Sequence, residues 1–199
     1  MKIGITPSIK ETYKNQFEYC IDIRLINFLK YCFINPKIFI INDSSLNLKN
    51  INLLIISGGN DIYNLEKRKK NLIRNQLDNK VLNNAIKKKI PVLGICYGAQ
   101  FISHFFNNKV FKKKGHVKKN NKIIIKDKSY LNKNFIKVKC FHNYGIGAHK
   151  NFDLIGTCED ETVEFYKIRN MKIYGMMWHP ERDLNFKNFN KVIIKKICN

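Results

Sequence analysis

A cysteine flanked by glycines stands in Gly94-Ile95-Cys96-Tyr97-Gly98-Ala99-Gln100, and this heptapeptide constrains the fold more than any other stretch. Before it, Ile90-Pro91-Val92-Leu93 is a short apolar run bounded by proline, which predicts a buried strand. After it, Phe101, Ile102, Phe105 and Phe106 recur at the spacing of one helix face. A strand that runs through such a residue straight into a helix needs a tight elbow, and glycines on either side avoid a clash there. The elbow lifts its central side chain out of the sheet and sets it at a helix N-terminus, where the dipole favours thiolate over thiol. A free cysteine is more often a small buried hydrophobe. The flanking glycines and the helix start reverse that balance, and Cys96 is the candidate nucleophile if a base exists elsewhere.

The base is Trp178-His179-Pro180-Glu181, which follows Met171-Lys172-Ile173-Tyr174-Gly175-Met176-Met177, a predicted buried strand. Pro180 restricts His179 to an extended conformation. Glu181, two residues on, is in reach of the far ring nitrogen, where it would fix tautomer and orientation. Nucleophile, base and orienter thus follow in the order Cys96, His179, Glu181.

Together the two motifs resemble the class I glutamine amidotransferase-like superfamily, in which G-x-C-x-G-x-Q carries the nucleophile and W-H-P-E the histidine and glutamate. Within it the chain is most similar to the gamma-glutamyl-gamma-aminobutyrate hydrolase-like branch. Supporting features are Ile3-Gly4-Ile5-Thr6-Pro7, the loop Ser57-Gly58-Gly59-Asn60-Asp61, Arg74, Gly115-His116, Val138-Lys139-Cys140-Phe141-His142-Asn143, and Glu164. The resemblance implies hydrolysis of a gamma-glutamyl amide through a glutamyl thioester on Cys96, with no cofactor. It implies an oxyanion hole from the backbone of Gly59 and Tyr97. It also implies a substrate site at Gly58, Gln100, Phe141, His142 and Asn143. The residue-level alternatives are an exposed helix position for Gln100, a structural hydrogen-bonded role for His142, and a capping role for Asp61. Two departures stand out. The branch often has S-x-H-H-Q where this chain has Cys140-Phe141-His142-Asn143-Tyr144, and often has Arg where this chain has Tyr97. The first bears on leaving-group recognition; the second spares the backbone N–H that an oxyanion needs.

At 199 residues the chain fits a single domain over 1–199 with a substantial core. A hydrophobic fraction of 44% excludes a disordered chain despite a formal charge of +22. No apolar run reaches membrane-span length, and Met1-Lys2-Ile3-Gly4 opens into a core-like strand rather than a signal peptide. The six cysteines, Cys20, Cys32, Cys96, Cys140, Cys158 and Cys198, show no framework spacing, which points to a reducing, cytoplasmic setting. No C-x-x-C pair is present and no metal is expected. A cluster of Cys96, Cys140, His142 and His179 is the metal-binding alternative, ranked below the triad. The basic runs Lys67 to Lys70, Lys87 to Lys89 and Lys112 to Lys114 read as solvated surface, with no nucleic-acid motif and no membrane partner. A positive field would draw an anionic small substrate. The candidate substrate is therefore a small gamma-glutamyl compound, with a nucleotide-linked amidate singled out; a separate synthase partner is the less favoured alternative.

Along the chain, strands are expected at Lys2 to Thr6, Lys37 to Ile41 (ended by Asn42, Asp43 and Ser44) and Leu53 to Ile56. Helices are expected at about Glu11 to Cys32, Leu65 to Lys89 and Asn185 to Ile197. This alternation predicts an α/β fold: a central, mostly parallel sheet with helices on both faces, flavodoxin-like, of the class I glutamine amidotransferase type. Beyond Lys109, shorter strands at Lys122 to Lys126, Phe135 to Cys140, Phe152 to Cys158, Thr162 to Ile168 and Lys172 to Trp178 predict a small antiparallel extension.

Overall fold

The computed structural model describes residues 1–43 and 48–198; Ser44, expected to help end the second strand, lies outside the described residues. In chain order the elements are β1 (Lys2–Thr6), β2 (Ser8–Tyr13), β3 (Gln16–Cys20), α1 (Ile23–Cys32), β4 (Lys37–Ile40), β5 (Leu53–Ile56), α2 (Lys69–Lys87), β6 (Val92–Ile95) and α3 (Tyr97–Phe105). Then follow β7 (Val110–Lys112), β8 (Val117–Ile125), β9 (Phe135–Phe141), β10 (Tyr144–Ile146), β11 (Phe152–Cys158), β12 (Val163–Ile168) and β13 (Ile173–Met176). A short 3₁₀ turn (Pro180–Arg182) and α4 (Asn188–Cys198) close the chain.

The large sheet runs β4-β1-β5-β6-β13-β12-β11-β8-β9. Pairings from β4 through β13 are parallel, and those from β13 through β9 are antiparallel. Because successive strand residues point to opposite faces, β5 splits its apolar run between two cores. Leu53 and Ile55 pack with Leu25, Phe28 and Leu29 of α1 and with Ile193, Ile194 and Ile197 of α4. Leu54 and Ile56 pack with Leu77, Val81 and Leu82 of α2 and with Phe101 and Ile102 of α3. Helices therefore cover both faces, and the strand reads as unbroken hydrophobic sequence because neither side meets water. Each such Leu or Ile contributes about 1.5–3 kcal/mol by burial.

One expected helix is corrected. Residues 11 to 32 do not form a single helix; the first part is the β2–β3 hairpin, and only Ile23–Cys32 is helical. Asn15 takes a left-handed φ of 64° at the turn, which a helix would not tolerate. The Asn60 side chain accepts from Ile9 N at 2.8 Å and donates to Ile9 O at 3.0 Å, occupying backbone groups of β2 from outside. Asp22 then caps α1 by accepting from Arg24 N. The apolar spacing of Phe17, Cys20 and Ile21 mimicked a helix face that the local turn chemistry overrode. The strands β7 and β10, which pair antiparallel with each other, were not anticipated; at three residues each they are too short for periodicity to reveal.

The position of β13 matters most for the site. The last strand of the chain inserts between β6 and β12 and runs parallel to β6, with Met176 opposite Ile95. Cys96 N donates to Met176 O at 2.8 Å. Both strands thus discharge their next residues at the same sheet edge, the carboxyl edge where ligands bind in open α/β sheets.

Candidate active site

Cys96 is the N-cap of α3, with φ 52° and ψ −103°. This left-handed backbone is uncommon outside glycine and concentrates at functional turns. A Cβ on Gly98 would fall on the Ile56 carbonyl, and one on Gly94 would fall on the Gly98 carbonyl group. The two glycines therefore let α3 sit directly on β5 and β6, which is what aims Cys96 outward. Tyr97 opens α3, and the first N–H groups of a helix have no partner within it. The Tyr97 ring is fully buried, 5.0 Å from the Arg74 guanidinium, and its hydroxyl bonds the Asn75 side-chain amide at 3.0 Å.

His179 follows β13 in an extended conformation, φ −102° and ψ 94°, and caps the 3₁₀ turn that Pro180 begins. Its Nδ1 lies 2.5 Å from Glu181 Oε1. Trp178 is plugged into the α4 side of the core: its indole N–H donates to Asn190 Oδ1 at 3.0 Å, and its ring meets Phe165 edge-on. Burial works against an imidazolium at His179, but the neighbouring Cys96 sulfur and Glu181 carboxylate outweigh it and push its pKa up to about 9. The Cys96 sulfur thus lies close enough to His179 to favour its charged form.

The loop after β5 closes the other side. A Cβ on Gly58 would come within 2.6 Å of His179 Cε1, and Gly59 has a φ of 108° that side chains rarely adopt. Beneath this loop Arg74 is wholly buried, with Nε 2.5 Å from Asp78 Oδ2, and donates to Ser57 O at 3.0 Å and Thr6 Oγ1 at 3.1 Å. One guanidinium therefore ties together the ends of β1 and β5 and the flank of the elbow. Burial raises the Asp78 pKa, and Arg74 opposes that shift.

Two clefts meet at His179. One, of about 200 Å³, is bordered by Gly59, Asn60, Asp61, Cys96, Gln100, Phe141, His142, Asn143, Tyr144, His179 and Arg182. The other, of about 330 Å³, lies toward the hairpin and includes Ser8, Lys10, Cys20, Asp22, Gly58 and Arg182. The sequence-picked residues Gly58, Gly59, Cys96, Gln100, Phe141, His142, Asn143, His179 and Glu181 all border one or other of them. Gln100 is buried rather than exposed on its helix, and its Nε2 donates to Tyr144 O at 3.1 Å. His142 turns its ring away from the triad: Nδ1 donates to Tyr144 O at 3.0 Å, and Nε2 faces Glu164. Cys140 and His142 do not join Cys96 and His179 in one cluster; they gather with His116 and Glu164.

Arg182, directly after Glu181, borders both clefts. Its guanidinium lies 4.7 Å from the Phe141 ring centroid, and its buried Nε makes no hydrogen bond. Position directly after Glu181 was the signal available. Ser8 and Lys10 lie on β2, between the expected first strand and the expected helix, where no element was read from the sequence. The run Lys112 to Lys114 borders neither cleft, and Lys113 is paired with Asp160 at 2.8 Å. Among the described residues no helix is long and apolar enough to cross a membrane, and the six cysteines are free.

Comparison with known proteins bears on the family and the fold. A gamma-glutamyl-CDP-amidate hydrolase from Campylobacter jejuni subsp. jejuni serotype O:2 is 35% identical over 69% of this chain and 66% of that protein, just under two thirds of its length. A glutamine-hydrolyzing GMP synthase subunit from Methanococcus aeolicus is 29% identical over 75% of this chain and 74% of that protein. The crystal structure of a protein provisionally described as a GMP synthase subunit, from Thermoplasma acidophilum, superposes with a TM-score of 0.76 at 22% identity, covering 100% of this chain and 92% of that one. The glutamine amidotransferase class-I family model matches residues 14–194, and the chain belongs to that family.

Proposed function

We propose that residues 1–199 act as one domain that hydrolyses a gamma-glutamyl amide, with Cys96, His179 and Glu181 as a catalytic triad. The observation that carries this reading is His179, held by Glu181 Oε1 at 2.5 Å and raised in pKa by the Cys96 sulfur beside it, at the meeting point of two clefts. The Cys96 thiolate attacks the gamma-carbonyl carbon, and the carbonyl electrons move to oxygen. The backbone N–H groups of Gly59 and Tyr97 receive that oxyanion; one such donor is worth about 3–4 kcal/mol in the transition state. As the C–N bond breaks, His179 gives its proton to the departing nitrogen, leaving a glutamyl thioester. Neutral His179 then takes a proton from water, the hydroxide attacks the thioester, and glutamate leaves as the thiolate and imidazolium are restored. Glu181 orients the ring throughout.

The smaller cleft, with Gly59, Gln100, Phe141, His142 and Asn143 around it and Gly58 at its junction with the larger one, suits the glutamyl part; His142 contributes through its backbone, since its ring is engaged elsewhere. The hairpin-side cleft takes the leaving group. Arg182 and Lys10 there suit phosphate, which supports a gamma-glutamyl nucleotide amidate, such as gamma-glutamyl-CDP-amidate, and release of a nucleotide phosphoramidate of the kind used to decorate capsular polysaccharide. The second reading is a glutaminase that delivers ammonia to a separate synthase, favoured by the likeness to the Methanococcus aeolicus GMP synthase component. A gamma-glutamyl-GABA-type amide is the third substrate class. Assay of the purified chain alone separates them. Turnover of a gamma-glutamyl nucleotide amidate well above that of glutamine and gamma-glutamyl-GABA supports the proposal. Turnover of glutamine only when a synthase is added would replace it with the second reading.

A further inference from the structure

Four buried side chains from three strand regions converge beneath the Phe141–Asn143 wall of the cleft: His116 just before β8, Cys140 on β9, His142 just beyond it, and Glu164 on β12. Their exposures are 4%, 0%, 3% and 0%. One ligand atom from each lies within 4.8 Å of all the others. Glu164 Oε1 is 3.2 Å from His116 Nδ1 and 3.4 Å from His142 Nε2, and Cys140 Sγ is 3.7 Å from Glu164 Oε2. Ligands around a tetrahedral zinc are separated by roughly 3.3–3.6 Å, given zinc–sulfur and zinc–nitrogen bonds of that ion's usual length.

The far side of each ring is equally informative. His142 Nδ1 donates to Tyr144 O at 3.0 Å, and His116 Nε2 faces Asp160 Oδ2 at 3.0 Å. Asp160 is itself held by Lys113 Nζ at 2.8 Å and the Thr162 hydroxyl at 2.6 Å. Outer partners of this kind, a carbonyl and a carboxylate, fix the tautomer of metal-binding histidines. With the far nitrogens donating, both rings present lone pairs toward a carboxylate that is also all acceptor. Glu164 Oε1 and His142 Nε2 are buried and make no hydrogen bond. A cation among them would resolve that opposition. Asn121 Nδ2, 2.9 Å from His116 Nδ1, competes for one lone pair and would have to yield it.

We propose that His116 Nδ1, Cys140 Sγ, His142 Nε2 and Glu164 form a structural zinc site that pins β8 and β9 to β12 behind the substrate wall. Binding displaces the Cys140 proton to solvent, and thiolate and carboxylate together balance the two charges of the ion. Two imidazoles, one thiolate and one carboxylate suit zinc, and a full set of four protein ligands marks a structural rather than a catalytic ion. Cys96 and His179 take no part, so the site stands independently of the hydrolase reading.

The test uses the full chain, stripped with chelator and titrated with cobalt(II), then zinc. One cobalt per chain should bind with thiolate-to-cobalt charge-transfer and tetrahedral d–d absorption, and zinc should abolish both stoichiometrically. Zinc should also raise the thermal midpoint of the stripped protein. Cys140→Ser should lose the charge-transfer band while Cys96→Ser keeps it. Asp160→Asn, at a partly exposed outer position, should weaken zinc about 10- to 100-fold without unfolding the chain. A stripped wild-type chain that takes up neither ion overturns the proposal and leaves a protonated hydrogen-bond cluster. Loss of the band in Cys96→Ser instead would move the ion to the cleft and overturn it equally.

Discussion

The two halves of the sheet carry chemistry in different ways. In the parallel half, β5, β6 and β13 are buried along their whole length, and each discharges its first site residue within three residues of its last rung. Backbone register alone brings Cys96 beside His179, since Met176 opposes Ile95. In the antiparallel half, β9 alternates exposed and buried residues, and its chemistry lies on the buried side: Cys140, then His142 beyond the strand end. There, side chains from three strand regions must meet across the sheet face. Reactive geometry at a parallel edge is thus set by topology, whereas geometry on an antiparallel face is set by packing.

The parallel half should break all at once. Cys96→Ala removes the proposed nucleophile from a turn and should cost at least about 10⁴-fold in kcat, with the fold retained by circular dichroism. His179→Ala should be nearly as damaging, and Cys96→Ala/His179→Ala little worse than either, because members of one catalytic unit are not additive. Multiplied losses in the double variant would mean that the two residues act apart. Cys140→Ala is the control from the other half: its thiol is driven well up by burial, which disfavours a thiolate nucleophile, so it should keep the acyl transfer that Cys96→Ala loses.

Glu181→Gln should be milder, by about two orders of magnitude, as for the orienting member of other triads. It should also move a pH limb. On the proposed mechanism His179 must be charged to protonate the leaving nitrogen, so activity should be present below its pKa of about 9 and fall as pH rises through that value. The Glu181 carboxylate raises that pKa, and its removal should shift the alkaline limb of kcat/KM downward. A limb that does not move would assign the titration to another group.

What could be read in advance follows the same division. The elbow and Trp178-His179-Pro180-Glu181 were legible because each packs its geometry into a few consecutive residues, where glycine and proline report backbone shape directly. Strands β5 and β6 were legible because burial on both faces leaves an unbroken apolar run. The β2–β3 hairpin was not, since its turn rests on Asn15 and its anchor on Asn60, far away in sequence. The convergence of His116, Cys140, His142 and Glu164 was not either. Their contact depends on β12 and β8–β9 meeting through β11, a pairing that no local spacing encodes. The metal alternative drawn from sequence chose two of the four residues and took the other two from the triad.

Arg74 tests whether the parallel edge needs support from below. Arg74→Leu leaves Asp78 as a buried carboxylate without its partner and frees the Ser57 carbonyl. Breaking a buried pair in this way costs about 3–5 kcal/mol. In a chain of this size that lowers the thermal midpoint by roughly 6–20 °C. Adding Asp78→Leu should recover part of the loss, since an apolar pair is often as stable as a buried ion pair. If the single variant melts like wild type, the Gly58–Gly59 loop is held by other contacts.

The smallest expected effect concerns Arg182, where the two halves of the sheet meet beside both clefts. Arg182 leaves the parallel edge after Glu181 and lies over Phe141 at the end of β9. Its buried, unpartnered Nε and its place in both clefts fit it to receive an anionic group on the leaving side. A hydrogen bond to a charged group is worth about 1.5–3 kcal/mol. Arg182→Gln should therefore lower kcat/KM for a gamma-glutamyl nucleotide amidate on the order of 10-fold or more, and leave a neutral gamma-glutamyl amide nearly unchanged. Reversal in Arg182→Glu should deepen the loss for the anionic substrate alone. Rising salt should mimic the effect, because screening over a Debye length of about 8–10 Å weakens the pull of a +22 chain on an anion but hardly touches zwitterionic glutamine. Equal salt slopes for charged and neutral substrates would make the basic surface mere composition. The leaving group would then be recognised by shape within the hairpin-side cleft, not by charge at its rim.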